Sequence, residues 1–122
     1  LPISVRSIPH MVHYSVTKTA QLGLSRALAE TTRGTNVRVN AYLPGPTATQ
    51  SVSDYFAGIA AERGQTVEAV TRAFFAKDQP GSLVGRLIDP ALHGRAVLQM
   101  ATNWAMNGTA QRGDGGAFHS IL

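Results

Sequence analysis

The sequence has 122 residues, 43% of them hydrophobic, with no cysteine and a formal net charge of +4. This length and composition predict one globular domain, residues 1–122, and exclude disulfides and thiolate metal sites. The eleven Lys/Arg residues are scattered and no apolar stretch reaches the roughly 20 residues of a membrane span, so we expect a cytoplasmic protein with no nucleic-acid or membrane partner.

The first half of the chain predicts a long helix, a strand and two further helices. Residues 10–32 are rich in Ala and Leu and predict the first helix, with Gly34 as its C-cap. Residues 37–43 alternate and contain β-branched side chains, which is typical of a strand. Pro and Gly residues end this strand, and helices are predicted over residues 53–63 and 66–77.

The second half predicts one more helix and one more strand. Asp89-Pro90 is a typical N-cap followed by a first-turn proline, and it predicts a helix that continues towards Thr102. A short strand over residues 109–112 precedes a glycine-rich turn. Strands separated by helices favour parallel pairing in an α/β sheet. Because two strands cannot form a covered parallel sheet, the predicted fold is a partial one.

Tyr14 and Lys18 are the residues that carry chemistry in the first predicted helix. They lie four positions apart, so their side chains share one face. An ammonium beside a phenol stabilises the phenolate, and such a phenol can exchange a proton with an alcohol or carbonyl oxygen. Taken alone, a Tyr and a Lys at this spacing are more often a surface contact than an active site.

Several segments together give the sequence a family resemblance. Residues 13–21, His13-Tyr14-Ser15-Val16-Thr17-Lys18-Thr19-Ala20-Gln21, resemble the active-site helix of the short-chain dehydrogenase/reductase family. Residues 37–47 are similar to the strand that follows in that family and to its Pro-Gly-x-x-Thr-type loop. Gly85-Arg86, Asp89-Pro90 and residues 107–116 match the closing segments in the expected order. The resemblance covers nearly all of the chain.

The resemblance implies a fold, an activity and a site. The implied fold is a partial Rossmann-like, doubly wound parallel sheet that lacks its N-terminal nucleotide-binding half. The implied activity is NAD- or NADP-dependent oxidoreduction of a small-molecule alcohol or carbonyl. Tyr14 would be the general acid/base, and Lys18 would assist it and contact the nicotinamide ribose. Pro44, Gly45 and Thr47 would lie along the nicotinamide and pyrophosphate.

The sequence also departs from the family pattern. The catalytic serine of the family normally lies a dozen or so residues before the tyrosine. Ser4 fits that role only if the segment before Ile8-Pro9 has been shortened or repaired by a loop. Gly113 stands where the family generally has a β-branched residue, which predicts a weak last strand. The sequence shows no glycine-rich phosphate loop, so we expect this chain by itself not to bind NAD(P).

Two interpretations of the chain remain open. It is a fragment of an oxidoreductase, or it is a truncated, non-catalytic homologue that acts by association, and a homo-oligomer is expected in either case. The histidines show no metal-ligand spacing, so no metal site is expected. Aromatic residues are expected in the core: Tyr42, Tyr55, Phe56, Phe74, Phe75 and Trp104.

Overall fold

The computed structural model describes residues 11–119, which form four helices and two strands. The elements in chain order are α1 (Val12–Thr31), β1 (Ala41–Pro44), α2 (Gln50–Arg63), α3 (Val67–Asp78), α4 (Pro90–Thr102) and β2 (Ala110–Gly113). Within the range that the structure describes, no helix is both long enough and apolar enough to cross a membrane. Ser4 lies outside the described residues.

Strands β1 and β2 form a two-stranded parallel sheet. The register pairs Ala41 with Ala110 and runs to Pro44 opposite Gly113. Three helices separate the two strands along the chain, as a parallel crossover requires. The α/β class and the partial Rossmann-like sheet predicted from the sequence are thereby confirmed.

The first strand is shorter at its start than the predicted 37–43. The Val39 amide donates to the side-chain oxygen of Asn107 at 3.0 Å, so this amide is bound by a side chain and not by a strand ladder. The Val39 carbonyl accepts from the Gly108 amide at 2.9 Å. Regular pairing starts only where the Ala41 amide donates to the Thr109 carbonyl at 2.9 Å. The alternating pattern predicted the strand correctly but placed its first residue four positions too early.

Polar caps set where the three later helices begin. The side chains of Thr49, Thr66 and Asp89 each accept a hydrogen bond from a backbone N–H in the first turn. Helix α2 therefore begins at Gln50, three residues before the predicted start, whereas the Asp89 cap of α4 confirms the prediction. Helix α1 ends at Thr31 and is capped by Thr32, so the prediction of Gly34 as the C-cap is wrong.

The largest apolar cluster lies between α2 and α3. Phe56, Ala60 and Val70 are buried there, and partly buried side chains pack around them: Val52, Ile59, Phe74 and Leu87. Tyr55 and Trp104 are 65% and 82% exposed, contrary to the expectation that both lie in the core. Adjacent residues on a helix point about 100° apart, so α2 buries Phe56 and leaves Tyr55 outside.

Phe56→Ala tests this cluster. The substitution removes a buried ring and leaves a cavity, so we expect the free energy of unfolding to fall by about 3–5 kcal/mol. Tyr55→Ala, at the neighbouring exposed position, is the matched control and should change it within about 0.5 kcal/mol. Urea unfolding followed by circular dichroism measures both, and equal losses would contradict the assignment of the core.

Candidate functional site

Tyr14 and Lys18 lie one turn apart on α1. The Lys18 Nζ lies 5.3 Å from the centroid of the Tyr14 ring and donates a hydrogen bond to Gln21 Oε1 at 3.1 Å. Tyr14 is 39% exposed, so part of this residue is open to solvent. The structure thus brings these two predicted site residues together on an accessible face.

Loop 44–47 begins with the last residue of β1. It forms backbone hydrogen bonds to Gly113 on one side and to Ile88 on the other. The Gly45 amide donates to the Gly113 carbonyl at 2.9 Å, which extends the parallel pairing by one residue. A Cβ at Gly45 would lie 2.8 Å from the Asp114 Cα, so only glycine fits this close backbone approach. On the other side, Ile88 exchanges backbone hydrogen bonds with Pro46 and Ala48, each at 2.9 Å.

The contacts of α1 lie away from this loop. At the C-terminal end of the helix, Arg26 Nη1 donates to the Gly108 carbonyl at 3.2 Å, and Asn107 Nδ2 donates to the Thr32 hydroxyl at 2.9 Å. Among residues 11–119, no hydrogen bond joins Tyr14 or Lys18 to loop 44–47. In the part of the chain that the structure describes, the two parts of the predicted site are therefore not joined by a direct hydrogen bond.

A third group of polar residues was not predicted from the sequence. The Tyr42 hydroxyl lies 2.7 Å from His93 Nδ1, and His93 Nε2 lies 2.9 Å from Thr47 Oγ1. Thr47 Oγ1 in turn donates to the Gly45 carbonyl at 2.9 Å. The sequence predicted that Tyr42 lies in the core. His93 was considered only as a possible metal ligand, and no metal site was expected.

Gly113 was the signal in the sequence that pointed to this group. A Cβ at Gly113 would lie 1.8 Å from the Tyr42 hydroxyl oxygen and 2.6 Å from Cζ. The missing side chain thus makes room for the phenol beside β2. Gly113 still pairs with Pro44 as the last residue of the strand. Its departure from the family pattern is matched by the tyrosine on the neighbouring strand.

The surroundings of Tyr42 keep its phenol neutral. Burial, followed by the negative charge of Asp114, raises the pKa of Tyr42 above its ordinary value of 10.0. Asp114 itself is buried; its Oδ1 accepts from the Gly116 amide at 3.0 Å, while its Oδ2 has no hydrogen-bond partner among the described residues. Tyr42 is therefore a hydrogen-bond donor at neutral pH.

A cavity of about 570 Å³ adjoins this group. Its lining includes Tyr42 and His93, charged side chains from the segment before α4, and Arg112 of β2. Among residues 11–119, no cluster of three or more His, Asp or Glu side chains is arranged to hold a metal ion. The cavity lies beside Gly113, the last residue of β2, and α/β folds generally bind ligands at the carboxyl ends of their strands.

The residues present fit part of a nicotinamide dinucleotide. A lysine ammonium has three N–H donors, and Lys18 uses one of them on Gln21, so others can reach ribose hydroxyls. Loop 44–47 offers a glycine backbone at the carboxyl end of a parallel strand.

Comparison with known sequences shows the family of the chain. The sequence model of the family described as enoyl-(acyl carrier protein) reductase matches residues 3–117. The uncharacterized oxidoreductase YvrD of Bacillus subtilis is 41% identical over 119 residues, which are 96% of this chain and 45% of that protein. The 2-keto-3-deoxy-L-fuconate dehydrogenase of Xanthomonas campestris is 32% identical over 108 residues, 88% of this chain and 33% of that protein.

Comparison with solved structures gives the same fold. The L-sorbose reductase of Gluconobacter frateurii, solved with NADPH and L-sorbose, superposes with a TM-score of 0.84 at 20% identity. The match covers 98% of this chain and 45% of that enzyme. The chain therefore spans less than half the length of the relatives it matches.

Gly113→Ala tests the fit between the two strands. The new methyl group collides with the Tyr42 hydroxyl, so we expect a loss of about 1–3 kcal/mol in the free energy of unfolding. In a Tyr42→Leu background the collision is absent, and the same substitution should cost less by about 0.5–3 kcal/mol. Urea unfolding of the four proteins measures the coupling, and additive losses would contradict the steric argument.

Proposed function

The chain belongs to the short-chain dehydrogenase/reductase family, and we propose that it forms the catalytic part of an NAD(P)-dependent oxidoreductase acting on an alcohol or carbonyl group. The observation that carries the proposal is the partly exposed Tyr14 with the Lys18 ammonium 5.3 Å from the centroid of its ring. The relatives named as oxidoreductase, dehydrogenase and reductase support it.

The proposed chemistry divides between the cofactor and the chain. When bound, the nicotinamide supplies or accepts the hydride. In the reducing direction Tyr14 donates its proton to the carbonyl oxygen, and in the oxidising direction its phenolate accepts the proton of the alcohol. Lys18 stabilises the phenolate by its positive charge and binds a ribose hydroxyl. Ser4, outside the described residues, is proposed to hold the substrate oxygen.

Loop 44–47 is proposed to lie along the nicotinamide and pyrophosphate. Pro44 and Gly45 present backbone at the carboxyl end of β1, where parallel sheets bind nucleotides. The Thr47 hydroxyl contacts Gly45 and His93, so its proposed contribution is to the shape of the loop. The L-sorbose reductase was solved with NADPH, which supports a nicotinamide cofactor for this chain. The cytoplasmic location expected from the sequence stays a prediction.

Tyr14→Phe tests the proposed function in the protein that contains this chain. The substitution removes only the proton that Tyr14 transfers, so we expect kcat/KM to fall roughly 10²–10⁴-fold. Tyr55→Phe, at an exposed position of α2, is the matched control and should leave the rate unchanged. Oxidation of NADH and NADPH is followed by absorbance with a panel of small carbonyl compounds. Unchanged turnover in Tyr14→Phe would overturn the proposal.

A second candidate function is association with another copy of the chain. Exposed apolar side chains form a stripe that winds about 160° around α1 from its first member to its last. They are between 46% and 61% exposed: Val12, Val16, Leu24 and Leu28. An apolar stripe of this length is rarely left in water, which supports a homo-oligomer that packs α1 against a partner. This candidate is compatible with catalysis as well as with a non-catalytic role.

Leu24→Glu tests this association. A charge in the middle of the stripe cannot be buried against an apolar partner, so we expect the mass measured by light scattering to fall to that of a monomer. Leu83→Glu, at a position that is 86% exposed and outside α1, is the matched control and should leave the mass unchanged. A monomeric unsubstituted protein would exclude this candidate.

A further inference from the structure

The hydrogen bonds of Tyr42, His93 and Thr47 form one continuous chain that ends on a backbone carbonyl. It runs from the Tyr42 hydroxyl to His93 Nδ1 (2.7 Å) and from His93 Nε2 to Thr47 Oγ1 (2.9 Å). Its last link runs from Thr47 Oγ1 to the Gly45 carbonyl (2.9 Å). The chain thus connects the sheet, helix α4 and loop 44–47.

Counting protons fixes the direction of the links at Thr47 and, for a neutral His93 ring, the direction of the link to Tyr42. A carbonyl oxygen only accepts, so Thr47 donates its single hydroxyl proton to Gly45. Thr47 must then accept from His93, which places the ring proton on Nε2. In a neutral imidazole Nδ1 is then the acceptor, so the Tyr42 hydroxyl donates to it. The raised pKa of Tyr42 agrees with a phenol that keeps its proton.

We propose that His93 is a positioning residue for loop 44–47: a neutral ring with its proton on Nε2 ties Thr47 to Tyr42 and thereby fixes the Gly45 peptide groups. The importance of this loop for cofactor binding rests on the proposed function. The positioning itself rests only on the hydrogen bonds among Tyr42, His93, Thr47 and Gly45.

His93 can hold loop 44–47 because of its position in α4. The backbone bonds of Ile88 to Pro46 and Ala48 place the start of α4 against the loop, and His93 lies about one turn inside that helix. Gly45 is then bound through its amide by Gly113 and through its carbonyl by Thr47. Without the imidazole, the Thr47 hydroxyl loses its donor and can turn away from the Gly45 carbonyl.

The first test needs no substitution. Nitrogen NMR of the ¹⁵N-labelled histidine ring in the unsubstituted chain at neutral pH distinguishes protonated from unprotonated ring nitrogens. We expect a protonated Nε2 and an unprotonated Nδ1 for His93. A proton on Nδ1, alone or together with one on Nε2, would overturn the proposed direction and with it the proposal.

The second test compares two substitutions of His93. His93→Leu keeps an apolar side chain of similar bulk and removes both hydrogen bonds, whereas His93→Gln keeps one acceptor and one donor. We expect amide exchange at Gly45 and Ala48 to accelerate about tenfold in His93→Leu and to stay within about threefold in His93→Gln. Arg95→Leu, at an exposed position of α4, is the matched control.

The same variants in the protein that contains this chain test the consequence for the cofactor. We expect the Kd for NADH or NADPH to rise about tenfold in His93→Leu, with little change in kcat at saturating cofactor, and to recover in His93→Gln. An unchanged Kd in His93→Leu, or equal damage in both variants, would overturn the role in cofactor binding. Failure of the proposed function would be seen in a different measurement, as undiminished turnover in Tyr14→Phe.

Discussion

The hydrogen bond from the Gly45 amide to the Gly113 carbonyl, 2.9 Å long, is the contact on which the arrangement at the end of the sheet depends. It continues the parallel pairing of β1 and β2 past the last residue of β1 and brings the backbone of the loop against Asp114. Only glycine fits at position 45, because a Cβ there would meet the Asp114 backbone at 2.8 Å. The same end of the sheet carries Tyr42, whose hydroxyl occupies the space that a side chain at position 113 would need.

Two parts of the chain carry groups with different proposed roles. Helix α1 carries the groups proposed to move a proton, Tyr14 and Lys18, on a face that solvent reaches. The sheet and α4 carry the groups that shape the loop, and these are linked by hydrogen bonds and partly buried. Proton transfer needs access to the substrate, whereas a binding loop needs a fixed geometry, so the difference in exposure suits the two tasks.

Residues that are close in sequence, or that carry a local pattern, were predicted well. The pair Tyr14 and Lys18 needs only a helix to share a face, and the Asp89 cap needs only its own first turn. Both were visible without a structure. The start of β1 was not, because the Val39 amide bonds to Asn107, which lies far along the chain. The exposure of Tyr55 and Trp104 likewise depends on which helix face meets a neighbour.

The sequence by itself determined the α/β class, the order of the elements, the family and the pairing of Tyr14 with Lys18, since these depend on local spacing and composition. Only the tertiary structure decided that Tyr42, His93 and Thr47 form one hydrogen-bonded chain. These three residues come from a strand, a helix and a loop that are brought together by parallel pairing across a long crossover. Each alone reads as an ordinary core or turn residue, because its hydrogen-bond partner is remote in sequence.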